Sequence, residues 1–320
     1  MNRTSARVLG AFLIAALGGC ADVRATTGPA LSTSPDPQPA ILLPTRAPTS
    51  WGSTTSTPGP TAEVLEDQTS IADIPILPSV SDGVRDLYER GLRLGNDPTA
   101  FSKVGDCGSS PSWFLGVFDE EPSFYRLGDY THLGEVIDHF QGSFGRISLA
   151  ARSGFNASSV FSPLWSDPEI CKPGEGPLEC EYRLHQPSFA FIMLGTNDRW
   201  HQAEFEERLT EILEYTIERG IVPILATKPD NLEGDGSINA TIVRVAAAYD
   251  MPLWNEWGAL QGLPDRGLQE DGAHLTWEPN WFDSPVVMRS GWPVRNLTAL
   301  QSLDVVWRAV TGADPAQPPR

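Results

Sequence analysis

Cys107 closes a Gly105-Asp106-Cys107 run, and far downstream Asp271 precedes His274 by three residues. A thiol, an imidazole and a carboxylate are what nucleophilic acyl transfer needs. The imidazole removes the thiol proton, the carboxylate orients the imidazole, and the sulfur attacks a carbonyl carbon. The developing oxyanion needs donors, and the backbone N–H groups of Cys107 and Gly154 with the Asn197 side-chain amide can supply them. Each residue also has a plainer reading. A Gly-Asp pair marks a turn, a lone histidine in a loop is commonly structural, and Asn197 or Asp198 can cap a helix. Ser109 and Ser110 stand near Cys107, but either one as nucleophile requires the turn to be re-registered.

These residues follow apolar runs whose periodicity alternates between strand and helix. Val84–Leu94 repeats at helical spacing, with Ser81 or Asp82 as N-cap, and Ala100–Gly105 is a strand leading to Cys107. Thr131–Phe140 is helical, Arg146–Ala151 a short strand ending near Gly154, and Ser188–Leu194 an unbroken apolar strand leading to Asn197. Gln202–Arg219 is an amphipathic helix, followed by the strand Ile221–Thr227, a helix over Ile238–Tyr249, the short strand Met251–Asn255 and a closing helix, Leu297–Val310. Such alternation predicts a parallel sheet covered on both faces, with a site at the carboxyl ends of its strands.

In that order, the chain resembles the SGNH, or GDSL, hydrolases. Gly105-Asp106-Cys107 matches the Gly-Asp-Ser block, Gly154 the isolated glycine, Gly195-Thr196-Asn197-Asp198 the Gly-x-Asn-Asp block and Asp271-Gly272-Ala273-His274 the Asp-x-x-His block. The resemblance implies a three-layer α/β/α flavodoxin-like fold with a central parallel sheet. It also implies ester hydrolysis or acyl transfer with no cofactor and no metal, the catalytic residues being Cys107, Asp271 and His274. The departure is Cys107, where the family has serine. A thiol is the more acidic group, with an unperturbed pKa of about 8.5, and a neighbouring imidazole lowers it further. The rival reading is an SGNH-fold lipoprotein that has lost its chemistry and keeps a binding or structural role. Small esters or O-acylated carbohydrates are the expected substrates. Trp277, Trp281 and Trp292 form either a sugar-facing wall or ring packing beneath a long loop.

The ends of the chain read differently. Residues 1–20 carry Arg3 and Arg7, an apolar stretch from Val8 to Leu17, and a Leu17-Gly18-Gly19-Cys20 ending that resembles a bacterial lipobox. Cys20 is therefore the expected lipidation site. The chain is expected to be exported and lipid-anchored on the outer face of the cytoplasmic membrane or at the cell surface. Residues 21–80 form a Pro/Ser/Thr-rich linker too apolar-poor to fold, residues 81–312 the hydrolase-like domain, and residues 313–320 a loose tail. Cys171 and Cys180 flank a short Pro/Gly loop and, in an oxidising compartment, are expected to pair. The alternative, Cys107 bonded to either of them, would remove the nucleophile. With 41 acidic and 23 basic residues the net charge is −18, which sets the chain against nucleic acid. A monomer is expected.

Overall fold

The computed structural model describes residues 70–313, so the expected signal segment, Cys20 and the residues from 314 onward lie outside it. The elements are helix α1 (Asp82–Leu94), strand β1 (Asp97–Gly105), helix α2 (Gly134–His139), helix α3 (Pro177–His185) and strand β2 (Pro187–Met193). They continue as helix α4 (Gln202–Glu218), strand β3 (Val222–Ala226), helix α5 (Ser237–Ala248), strand β4 (Leu253–Trp254), helix α6 (Glu256–Leu260) and helix α7 (Gly291–Thr311). The four strands form one sheet in the order β1-β2-β3-β4, every pair parallel.

Alternation along the strands divides the apolar residues between two cores. Phe101, Phe189, Phe191, Val222, Ile224 and Trp254 face one side, where α1, α2 and α7 cover them. Val104, Ala190, Ile192 and Leu225 face the other, against Leu178 and Tyr182 of α3, Phe205 and Leu209 of α4, and Ile238 and Ile242 of α5. The fold is thus a three-layer α/β/α sandwich. β2 is buried at every position, which is why its sequence is a continuous apolar run rather than an alternating one.

The expected strand Arg146–Ala151 does not form. Only Ala151 bridges Gly105. The Arg146 guanidinium donates to the Phe101 carbonyl and the Ser102 hydroxyl at 3.0 Å each, taking up a carbonyl that a neighbouring strand would use. Glu181 of α3 accepts from Arg146 at 2.6 Å and from the Leu149 N–H at 2.9 Å, so the segment is held by side chains instead of a ladder. The closing helix also begins earlier than expected, at Gly291. The folded part reaches into the expected linker: the Asn255 amide donates to the carbonyls of Ile71 and Ile74, each at 2.9 Å.

Lys103, in the middle of β1, is fully buried, and its ammonium donates to the Phe144 carbonyl at 2.7 Å. Burial, helped by Arg146, lowers its pKa from 10.5 to about 7 against the opposing pull of Asp119 and Glu181. Between those two values the unfolded chain holds a proton that the folded chain does not. Stability therefore rises with pH across that window, and the unfavourable contribution is complete below about 7. The urea midpoint of wild type, relative to Lys103→Met, is expected to rise between about pH 7 and about pH 9. A constant difference would contradict the assignment.

Candidate active site

β1 ends at Gly105, which is packed closely between the Ser109 side chain and the end of β2. A Cβ on Gly105 would lie 2.1 Å from the Ser109 hydroxyl oxygen and 2.6 Å from the Met193 carbonyl, so only glycine fits. Asp106 then accepts from the Gly108 N–H at 2.9 Å and caps a short turn over Cys107–Ser109. That turn holds Cys107 half-buried at the rim of the sheet. Ser109 points inward and is fully buried, which places its hydroxyl under the turn rather than at the surface.

Cys107 Sγ lies 4.0 Å from His274 Nε2, and His274 Nδ1 lies 2.5 Å from Asp271 Oδ2. A carboxylate only accepts, so Nδ1 carries the hydrogen, and in a neutral ring Nε2 is then the acceptor facing the thiol. Asp271 also accepts the backbone N–H groups of Ala273 and His274 at 3.0 Å each, closing the Asp271–His274 segment into a turn. Partial burial pushes the Asp271 carboxyl up, but the His274 side chain and these two N–H groups outweigh it and hold its pKa at about 2. The carboxylate is therefore ionised at neutral pH.

Gly154 and Asn197 come together on adjoining loops. The Asn197 side-chain amide donates to the Phe155 carbonyl at 2.9 Å, and Asp198 accepts from the Ala157 N–H at the same distance. Gly154 has φ +86°, a left-handed conformation suited to glycine. Arg152 donates its N–H to the Gly105 carbonyl at 3.1 Å, tying the Gly154 loop to the strand that carries Cys107. One of the two Asn197 amide hydrogens is thus occupied by Phe155, leaving the second for a ligand. Burial pushes Asp198 up to about 6, against the pull of the Ala157 N–H, and its position marks it as a brace between the two loops.

Cys171 and Cys180 are bonded to each other, with Cα atoms 5.3 Å apart. Neither remains for Cys107. Of the tryptophans between His274 and α7 and at its start, Trp292 is buried and stacks on Trp113, whereas Trp277 and Trp281 are exposed.

Sequence reasoning missed what lies beneath the site. Arg295 of α7, only 5% exposed, donates to Glu256 at 2.5 Å and lies over the Phe114 ring at 5.0 Å. Lys228 donates to Asp230 at 2.6 Å and to Glu233 at 2.5 Å. A cavity of about 20 Å³, room for one water, is lined by Asp106, Thr196, Lys228, Glu256 and Arg295. Burial pushes Glu256 up to about 7 even though Arg295 pulls it down, so the pair is finely balanced. Removing one partner leaves the other charge stranded. Arg295→Met is expected to destabilise the fold by about 3–5 kcal/mol. The loss should be larger above pH 7 than below, where Glu256 takes up a proton. Urea unfolding of Arg295→Met checks this, and a loss under about 1 kcal/mol would contradict the buried-pair account. The apolar periodicity of the sequence starts the closing helix at Leu297, which leaves Arg295 in the preceding loop.

No family model matches the chain, and no curated protein is similar to it in sequence. Several solved structures are similar in fold. A GDSL-like lipase from Bacteroides thetaiotaomicron is 14% identical, with 69% of this chain and 98% of that one covered, at a TM-score of 0.42. The acetylxylan esterase Axe2 from Geobacillus stearothermophilus is 16% identical, with 65% and 95% covered, at 0.41. The psychrotrophic esterase EstA from Pseudoalteromonas is 13% identical, with 64% and 96% covered, at 0.39. These are likenesses of fold, and the site stands on this chain's own residues.

Proposed function

We propose that the protein is an SGNH/GDSL-type ester hydrolase or acyltransferase in which Cys107 replaces serine as the nucleophile. The observation that carries the reading is the contact chain from Cys107 Sγ through the His274 ring to Asp271, at 4.0 and 2.5 Å. Support also comes from the ionised state of Asp271 and from donors gathered on the two adjoining loops.

The chemistry proceeds in two halves. His274 Nε2 takes the Cys107 proton as the sulfur attacks the ester carbonyl carbon, and the carbonyl electrons move to oxygen. The N–H groups of Cys107 and Gly154 and the second Asn197 amide hydrogen stabilise that oxyanion. As the C–O bond breaks, Nε2 passes its proton to the departing alcohol, leaving a thioester on Cys107. Water, or an acceptor hydroxyl, then gives its proton to Nε2 and attacks the thioester. The released thiolate takes that proton back. Asp271 stays ionised throughout and fixes the ring. The proposed substrates are small esters or O-acylated carbohydrates, acted on by a protein tethered outside the cell through Cys20.

Release of acetate from aryl acetates and from O-acetylated oligosaccharides by the purified protein tests this reading. Saturable release above the buffer rate is expected. Absence of release from every ester would overturn the proposal and favour a binding or structural role.

A further inference from the structure

The connections that carry Gly154 and Asn197 each also hold an exposed tryptophan with an arginine over its ring. Arg152 lies over Trp165 at 5.7 Å and Arg199 over Trp200 at 4.7 Å, with the indoles 46% and 75% exposed. A third such pair, Arg126 over Trp281 at 4.2 Å, differs because Asp283 sits 3.2 Å from the guanidinium. Arg152 and Arg199 have no carboxylate partner among the described residues, in a chain with 41 acidic side chains. Both guanidiniums are thus held against an indole with no carboxylate beside them, and they stand on adjoining loops.

Their placement relative to the nucleophile comes from the backbone. Arg152 is bonded through its N–H to Gly105, two residues before Cys107, and Arg199 stands two residues after Asn197. The loops are locked together by the Asn197–Phe155 and Asp198–Ala157 bonds, and Phe155 packs edge-on against Trp165 at 5.8 Å. We propose that Arg152 with Trp165 and Arg199 with Trp200 form a subsite for a sugar chain bearing carboxylates, so that the ester acted on is carried by an acidic glycan. This rests on the esterase reading of the neighbouring triad. An indole offers a flat apolar surface to a sugar ring, and a guanidinium held against the same indole offers a planar fork that a carboxylate matches with two parallel hydrogen bonds. With a net charge of −18 the surface as a whole disfavours such a polymer, so its binding needs local positive charge of this kind.

Binding is read without turnover by titrating the tryptophan fluorescence of the full chain carrying Cys107→Ala with oligogalacturonate that bears no acyl group. Saturable quenching is expected, weakened by added salt. Adding Arg152→Gln and Arg199→Gln together is expected to weaken binding roughly tenfold or more, the loss of two charge-assisted contacts. Neutral xylo-oligosaccharide is expected to bind more weakly by a similar factor. Arg244→Gln, which removes an exposed arginine on α5 paired with Glu206, should leave binding unchanged. Melting temperatures of all variants confirm that each is folded. In the chain that keeps Cys107, the arginine changes should raise KM for O-acetylated oligogalacturonate more than they lower kcat. Equal binding by the double variant, equal binding of the neutral sugar, or equal weakening by Arg244→Gln would overturn the subsite. Preference for a phosphorylated glycan over the uronate would overturn its assignment to carboxylates. If oligogalacturonate binds as expected while no ester is turned over, the esterase reading fails and the subsite stands.

Discussion

Cys107→Ala is expected to reduce ester turnover by roughly 10⁴-fold or more, to the residue that oxyanion donors and binding alone sustain. The expectation comes from the surroundings of the sulfur. His274 Nε2 lies 4.0 Å from it, placed to take its proton. Ser109 is the nearest hydroxyl in sequence, yet it is fully buried beneath Gly105, so Ser109→Ala should stay within a few-fold of wild type in activity. Steady-state rates with an aryl acetate measure both variants. Full activity in Cys107→Ala would remove the sulfur from the mechanism, whatever its position.

Asp271→Asn is expected to lower kcat by about 10³–10⁴-fold with little change in KM. The carboxylate accepts the Nδ1 hydrogen and two backbone N–H groups at once. An amide in its place presents either a donor or a single acceptor oxygen to the ring, and the tautomer with Nε2 able to receive a proton loses its anchor. Because the folded pKa is depressed to about 2, any stability Asp271 contributes is present above the ordinary carboxylate value and lost as pH falls towards about 2. The group is half exposed, so that contribution is small. The main effect belongs to catalysis, and single-turnover kinetics of Asp271→Asn separate it from binding. A kcat within tenfold of wild type would show that the imidazole does not depend on this carboxylate.

The parts of the molecule that could be read from sequence are those where one physical cause dominates. β2 and β3 are buried on both faces, and burial alone writes a continuous apolar run. α4 faces the core with Phe205, Leu209, Ile212 and Leu213, so its periodicity is plain. The segment from Arg146 to Ala151 misled because its apolar residues resemble a strand, while the contacts that decide its shape are made by Arg146 and by Glu181, a residue of another element. α3 escaped notice because it starts at Pro177, inside the short loop between the bonded cysteines. At the site, Cys107, Asp271 and His274 were legible through the spacing of short blocks. Arg295, Glu256 and the two arginine–tryptophan pairs were not, because each depends on which loops and helices lie side by side.

The account turns on a covalent step at one sulfur, and that step can be caught. Rapid acid quench of the protein with an aryl acetate, followed by proteolysis and mass spectrometry, should find one acetyl group on the peptide containing Cys107, removable by hydroxylamine and accumulating in His274→Ala only slowly if at all. Turnover with that peptide unmodified, or an acetyl group on a serine instead, would contradict it.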